Sequence, residues 1–136
     1  MDSAEAAIHE RWKASGFDSL LPEEQGYIAA WWLAMEVSNG GFSQYFYNSS
    51  GDSALLALQA LKQSGAEETR SLLSKALSVF NQVGGYVASR EERFKALKRL
   101  PTMSFDALDS QFYDGEETFM SNVLSRAVRA RAQVGV

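Results

Sequence analysis

The 136-residue chain contains no cysteine, one histidine and two prolines. Without cysteine there is neither a disulfide framework nor a thiolate metal site. A single histidine, His9, excludes the common multi-histidine zinc sites, and any Ser-His-Asp arrangement would have to run through it. His9 lies beside Glu10 and Arg11 with no nucleophile at a telling position, so it reads as a surface residue rather than a general base. No apolar run approaches the roughly 20 residues that cross a bilayer. The start, Met1-Asp2-Ser3-Ala4-Glu5, lacks the basic region and apolar core of a signal peptide. The default expectation is a cytoplasmic protein with no membrane association.

What is present is mixed charge, many aromatics and helical periodicity. Seventeen acids against 13 bases give a net charge of −4. Residues 1–52 hold eight acids and two bases, whereas residues 53–136 are slightly basic. Arg90, Arg93, Lys95, Lys98 and Arg99 form a basic segment, read as a solvated helix face paired with Glu91 and Glu92. An acidic total is unlike the usual footprint of a nucleic-acid binder, and no direct nucleic-acid contact is expected.

The length suits one domain spanning 1–136, and the spacing predicts an all-α, bundle-like packing of about six to eight helices. Ile8 and Trp12 mark a first helix ending near Gly16. Pro22, Glu23 and Glu24 open a second, with Tyr27, Ile28, Trp31, Trp32 and Met35 on a broad apolar face. Asn39-Gly40-Gly41 ends it, a short aromatic segment runs from Phe42 to Tyr47, and Asn48–Asp52 reads as a loop. Asp52 is expected to cap a helix that buries Leu55, Leu58 and Leu61. Leu73, Ala76, Leu77 and Phe80 mark the next helix, closed at Gly84-Gly85. Ser89-Arg90-Glu91-Glu92 is a capping-box pattern ahead of Phe94 and Leu97. Ser104 is expected to cap a short helix through Phe112, and Asp114-Gly115-Glu116-Glu117 to start the last one. In that last helix Arg126, Arg129 and Arg131 would complement the dipole.

Two sets of residues stand out as candidate sites. Asp106, Asp109, Asp114, Glu116 and Glu117 follow one another with no intervening base. Their spacing matches no EF-hand loop, so no metal or cofactor is expected. They read either as helix-terminal charges or as an acidic docking surface, with the N-terminal acids as a second such surface. The other set is the corner between the two aromatic-rich segments: Glu36, Asn39, Gly40, Gly41, Phe42, Gln44, Tyr45, Phe46 and Asn48. Its amides can satisfy orphaned carbonyls at a tight turn, with Glu36 joining the set, or they can line a ligand pocket.

The run from Glu36 to Gly51, together with Ala57-Leu58, Ala60-Leu61, Gly65-Ala66 and Leu108-Asp109-Ser110-Gln111-Phe112-Tyr113, resembles the signature of a bacterial family of unknown function. That family includes a DNA-mimic protein, and the resemblance covers about residues 20–128. It implies an all-helical fold, scope for a homodimer and no known enzymatic activity. It also implies a protein partner, such as a DNA-binding regulator whose DNA-binding face is occupied by surface carboxylates. The leading expectation is therefore a non-enzymatic, regulatory protein-binding domain. The alternative is a small-molecule-binding or enzymatic domain with a pocket at the Asn39–Asn48 corner.

Overall fold

The apolar face of the second predicted helix becomes the axis of the molecule. The computed structural model describes residues 2–134. Among them are seven α-helices and no strands: α1 (Ser3–Ser15), α2 (Pro22–Tyr47), α3 (Ala54–Gln63), α4 (Glu67–Val79), α5 (Arg90–Arg99), α6 (Asp106–Asp114) and α7 (Phe119–Val134). Helices α3, α5, α6 and α7 pack on α2, while α4 packs on α3 and α6. Tyr27, Ile28, Ala29, Ala30, Leu33 and Val37 of α2 are fully buried beneath them. Trp31 and Trp32 are half-buried, and Met35, expected inside, is 55% exposed at the edge of that face.

Helix α3 is turned relative to the sequence expectation. Its buried positions are Ala54, Ala57, Ala60 and Leu61, whereas Leu55 is 57% exposed and Leu58 half-buried. The reason is proximity to α2. A Cβ on Gly26 would lie 2.9 Å from the Ala60 Cβ, so the contact line admits only the smallest side chains. Nor does Asp52 cap α3, because its carboxylate is held by Arg93.

His9 is another correction. It is buried at 7% exposure, edge-on to Trp12, Tyr27 and Trp31, with Nε2 3.3 Å from the Tyr27 hydroxyl. Hydrophobic spacing centred on Ile8 and Trp12 understated how wide a face α1 buries. Arg131, expected to serve the C-terminal dipole of α7, instead reaches Glu24 near the start of α2. The fully buried Glu24 carboxylate takes Arg131 through Nε at 3.1 Å and Nη2 at 2.5 Å, the Arg11 guanidinium, and the Leu21 N–H at 3.0 Å. Three elements are tied at one carboxylate.

These two buried groups give stability a definite pH dependence. Burial lowers the His9 pKa, with Glu5 opposing and Lys13 adding to the shift. The unfolded chain therefore takes up this proton more readily, and stability falls as pH drops below about 6.5. Burial alone would raise the Glu24 pKa, but bonds from Arg131, the Leu21 N–H and Arg11 outweigh it, and the net shift is downward. Its contribution is present above the ordinary glutamate range and is lost as pH falls through the lowered value. A melting-temperature profile should thus fall in two stages on acidification. His9→Phe should remove the upper stage and Glu24→Gln the lower; an unchanged profile in both variants would refute these assignments.

Candidate functional site

The corner predicted at Asn39–Phe42 is a kink within α2. Gly40 (φ −152°, ψ 20°) and Gly41 (φ 77°, ψ −178°) leave helical geometry, after which the helix resumes to Tyr47. The Gly41 conformation lies in a region essentially reserved for glycine. Asn39, expected to help turn the chain, keeps helical geometry, and the break falls one residue later. Phe42 and Phe46 then enter an aromatic cluster with Phe80, Phe105 and Phe112, with ring centroids 4.9–6.4 Å apart.

A kink in a helix leaves backbone groups to be satisfied from outside. Helix α6 supplies both partners from two residues one turn apart. The Phe42 N–H donates to Asp109 Oδ1 at 2.8 Å, and the Tyr113 hydroxyl donates to the Val37 carbonyl at 2.9 Å. Gly41 lies so close to Asp109 that a Cβ there would sit 2.5 Å from Oδ2. The two separated stretches, Glu36–Gly51 and Leu108–Tyr113, therefore meet at this joint.

On the outer side of the kink Glu36 is the hub of the amides. Its Oε2 accepts from Gln44 Nε2 at 2.7 Å and from Asn48 Nδ2 at 3.0 Å, while Asn39 Nδ2 donates to Gln44 Oε1 at 3.3 Å. The amides expected to serve backbone carbonyls serve a carboxylate instead. Tyr45 is fully buried, its hydroxyl has no hydrogen-bond partner among the described residues, and burial raises its pKa far above the ordinary phenol value.

The carbonyls at the end of α2 are served by Arg93, which is fully buried and not on a solvated face. Nε donates to the Phe46 carbonyl at 2.6 Å. Nη1 donates to Val87 and Ala88 at 3.2 and 2.9 Å, and Nη2 to the Asn48 carbonyl and Asp52 Oδ1 at 2.9 and 2.8 Å. All five guanidinium N–H groups are thus used. Gly51 makes room for this, since a Cβ there would lie 2.6 Å from the Tyr45 carbonyl and 3.1 Å from Arg93 Nη2. The run of charges around Arg93 hid this role. The available signal was its place three residues before Ala96, on the buried line of α5.

The five acids divide into two groups. Asp109 is half-buried at the kink; burial raises its pKa, the Phe42 N–H lowers it and Asp106 raises it, for a net upward shift. Glu117 precedes α7 and caps α4 across the structure, accepting the Glu68 and Thr69 N–H groups at 3.1 and 2.9 Å. It replaces a cap that Ala66 cannot provide. Asp106, Asp114 and Glu116 remain exposed. Glu68 and Asp114 border one shallow cleft with Lys75.

Several local expectations shift accordingly. Helix α6 begins at Asp106 behind Phe105, and Ser104 bonds the Pro101 carbonyl at 2.5 Å rather than capping. It runs on to Asp114, so Asp114–Glu117 connects α6 to α7 and does not start α7. Ser89 accepts the Glu92 N–H at 3.4 Å, one half of the expected capping box. Among the described residues no three of His, Cys, Asp and Glu group as metal ligands. No helix among them is long and apolar enough to cross a membrane.

Neither the curated proteins nor the solved structures contain a match to this chain. The family described as DMP19-like protein matches residues 18–131, slightly beyond the stretch expected from the motifs and including both halves of the kink joint. The chain belongs to the DMP19-like protein family.

Proposed function

We propose that this protein is a non-enzymatic, regulatory protein-binding domain that offers an acidic surface to a DNA-binding protein. The observation that carries the reading is the division of labour among the acids of α6 and its following connection. Asp109 and Glu117 are bonded to backbone N–H groups and fix the segment, while Asp106, Asp114 and Glu116 face solvent. A negative surface held by its own framework loses little conformational freedom on binding. Membership of the DMP19-like family supports a role of this kind.

The acidic surface is short for a mimic of an extended duplex. Duplex DNA carries one negative charge per about 1.7 Å of axis. Asp106 to Asp114 spans about 12 Å of helix, and one of its three aspartates is committed to the kink. The exposed Glu68 at the start of α4 adds to the negative region beyond Glu117, whereas Glu67 is paired with Arg70 at 2.7 Å. A footprint of a few phosphates on one recognition element suits these dimensions better than a long groove.

The test is affinity capture from the native cell with wild-type protein and with the triple variant Asp106→Lys, Asp114→Lys, Glu116→Lys. All three positions are exposed, so the variant should keep its melting temperature within a few degrees. The expected result is a DNA-binding protein retained by the wild type, released by raised salt and lost with the triple variant. Equal capture by both proteins, or no specific protein at low and moderate salt, would reject the proposal.

A further inference from the structure

The wall of the kinked segment that the amides do not use borders a cleft of about 310 Å³. Ser43 and Tyr47 of α2 form one side, Phe94 and Leu97 of α5 another, and the Leu100–Phe105 connection closes it with Met103. The floor is apolar, and the volume lies at the lower end of the range for small-molecule sites.

Cations mark the same wall. Arg90, Phe94 and Lys98 recur at intervals of four on α5 and share one face. The Lys98 ammonium sits 4.3 Å from the Phe94 ring centroid, and the Arg90 guanidinium 5.3 Å from that of Tyr47. The Tyr47 and Phe94 rings are themselves 5.3 Å apart. Among the described residues neither Lys98 nor Arg90 has a carboxylate within 4.0 Å, although Lys95 and Arg93 on the same helix do. Met103 stands at the rim, 71% exposed and with a φ of 69°, the only positive φ outside glycine among the described residues. Backbone held in that region concentrates at binding sites. An apolar cleft, an uncompensated cation at its mouth and a strained apolar rim coincide.

We propose that this cleft binds a small amphipathic anion, an aliphatic or aromatic carboxylate whose tail lies on Phe94, Leu97 and Met103. Its carboxylate meets Lys98, and the exposed Ser43 hydroxyl, which lines the same cleft, supplies a neutral donor. The site goes beyond the protein-binding surface and shares none of Asp106, Asp114 or Glu116. Its Ser43–Tyr47 wall follows directly on the Gly41 kink, so an occupant contacts the segment that the kink orients.

Octanoate and its uncharged counterpart 1-octanol, titrated into ¹⁵N-labelled protein and followed by backbone amide shifts, separate the tail from the charge. Octanoate is expected to bind saturably at one site, with shifts confined to residues 43–47 and 94–105. Lys98→Glu should weaken octanoate about fivefold while changing 1-octanol less than about twofold. Ser43→Trp, at an exposed position, should fill the cleft and abolish both. Absence of saturable shifts with octanoate overturns the proposal. So does octanoate binding that is indifferent to Lys98→Glu, or shifts centred outside those two segments.

Discussion

Replacing Arg93 with methionine is expected to lower stability by about 2–4 kcal/mol, because the inner carbonyls are left without a donor while the half-exposed Asp52 carboxylate turns to water. Methionine fills much of the volume, so the loss comes from the acceptors left behind. The carbonyls of Phe46, Asn48, Val87 and Ala88 and the Asp52 carboxylate all lose their donor together. Native domains of this size hold about 5–15 kcal/mol in total, so the variant should melt far below the wild type. Arg93→Lys is the sharper variant. Lysine keeps the charge but has three donors on one nitrogen and cannot fork across four carbonyls and a carboxylate. It should recover less than half of the loss in a urea unfolding series. Full recovery by lysine would mean that charge, and not the fork, holds the end of α2.

The second large effect is expected at Gly41. Gly41→Ala places a Cβ 2.5 Å from Asp109 Oδ2 on a backbone with φ 77° and ψ −178°. Backbone strain of this kind costs about 1–3 kcal/mol. Displacing Asp109 costs about 1.5–3 kcal/mol more, because the Phe42 N–H loses a charged acceptor. The two contributions separate in a double-mutant cycle with Asp109→Ala. In that background only the strain should remain, so the two variants should destabilise by less than the sum of their separate effects. Strict additivity would show that Gly41→Ala leaves the Asp109–Phe42 bond intact, and an undestabilised Asp109→Ala would show that Asp109 does not brace the kink.

Much of the architecture was legible because helical periodicity and punctuation agree here. Pro22 with Glu23 and Glu24, Gly65, Gly84-Gly85 and Pro101 all lie at or near helix boundaries in the structure. What escaped had a common cause: a charged or polar residue in polar company reads as solvent-facing, whereas a tertiary partner decides its fate. Arg93, His9 and Arg131 read as surface or helix-dipole residues, and each is bound to another part of the chain; Glu24 keeps its expected place in the first turn of α2 and binds Arg11 and Arg131 as well. The α3 face departs from its periodicity for a different reason. Periodicity weighs leucine above alanine, but a close helix crossing at Gly26 and Ala60 reverses that order.

The corner followed the same pattern. Its glycines announced a turn, yet nothing local could reveal that residues 67 and 76 positions further on would heal the break. The joint explains why the Glu36–Gly51 and Leu108–Tyr113 stretches occur together in one sequence. The acids show the converse difficulty. The sequence offers the five either as helix-terminal charges or as one docking surface, and in the fold Asp109 and Glu117 bond backbone N–H groups while Asp106, Asp114 and Glu116 stay exposed. A charge count along the chain therefore overstates the negative charge that faces solvent.

A gel-shift competition tests the central claim most directly. The captured DNA-binding protein is placed on its own operator, and this protein is added at increasing concentration. Release of the operator by the wild type, with no release by the Asp106→Lys, Asp114→Lys, Glu116→Lys variant, is the expected result. An operator complex that persists unchanged at saturating wild-type protein would contradict it.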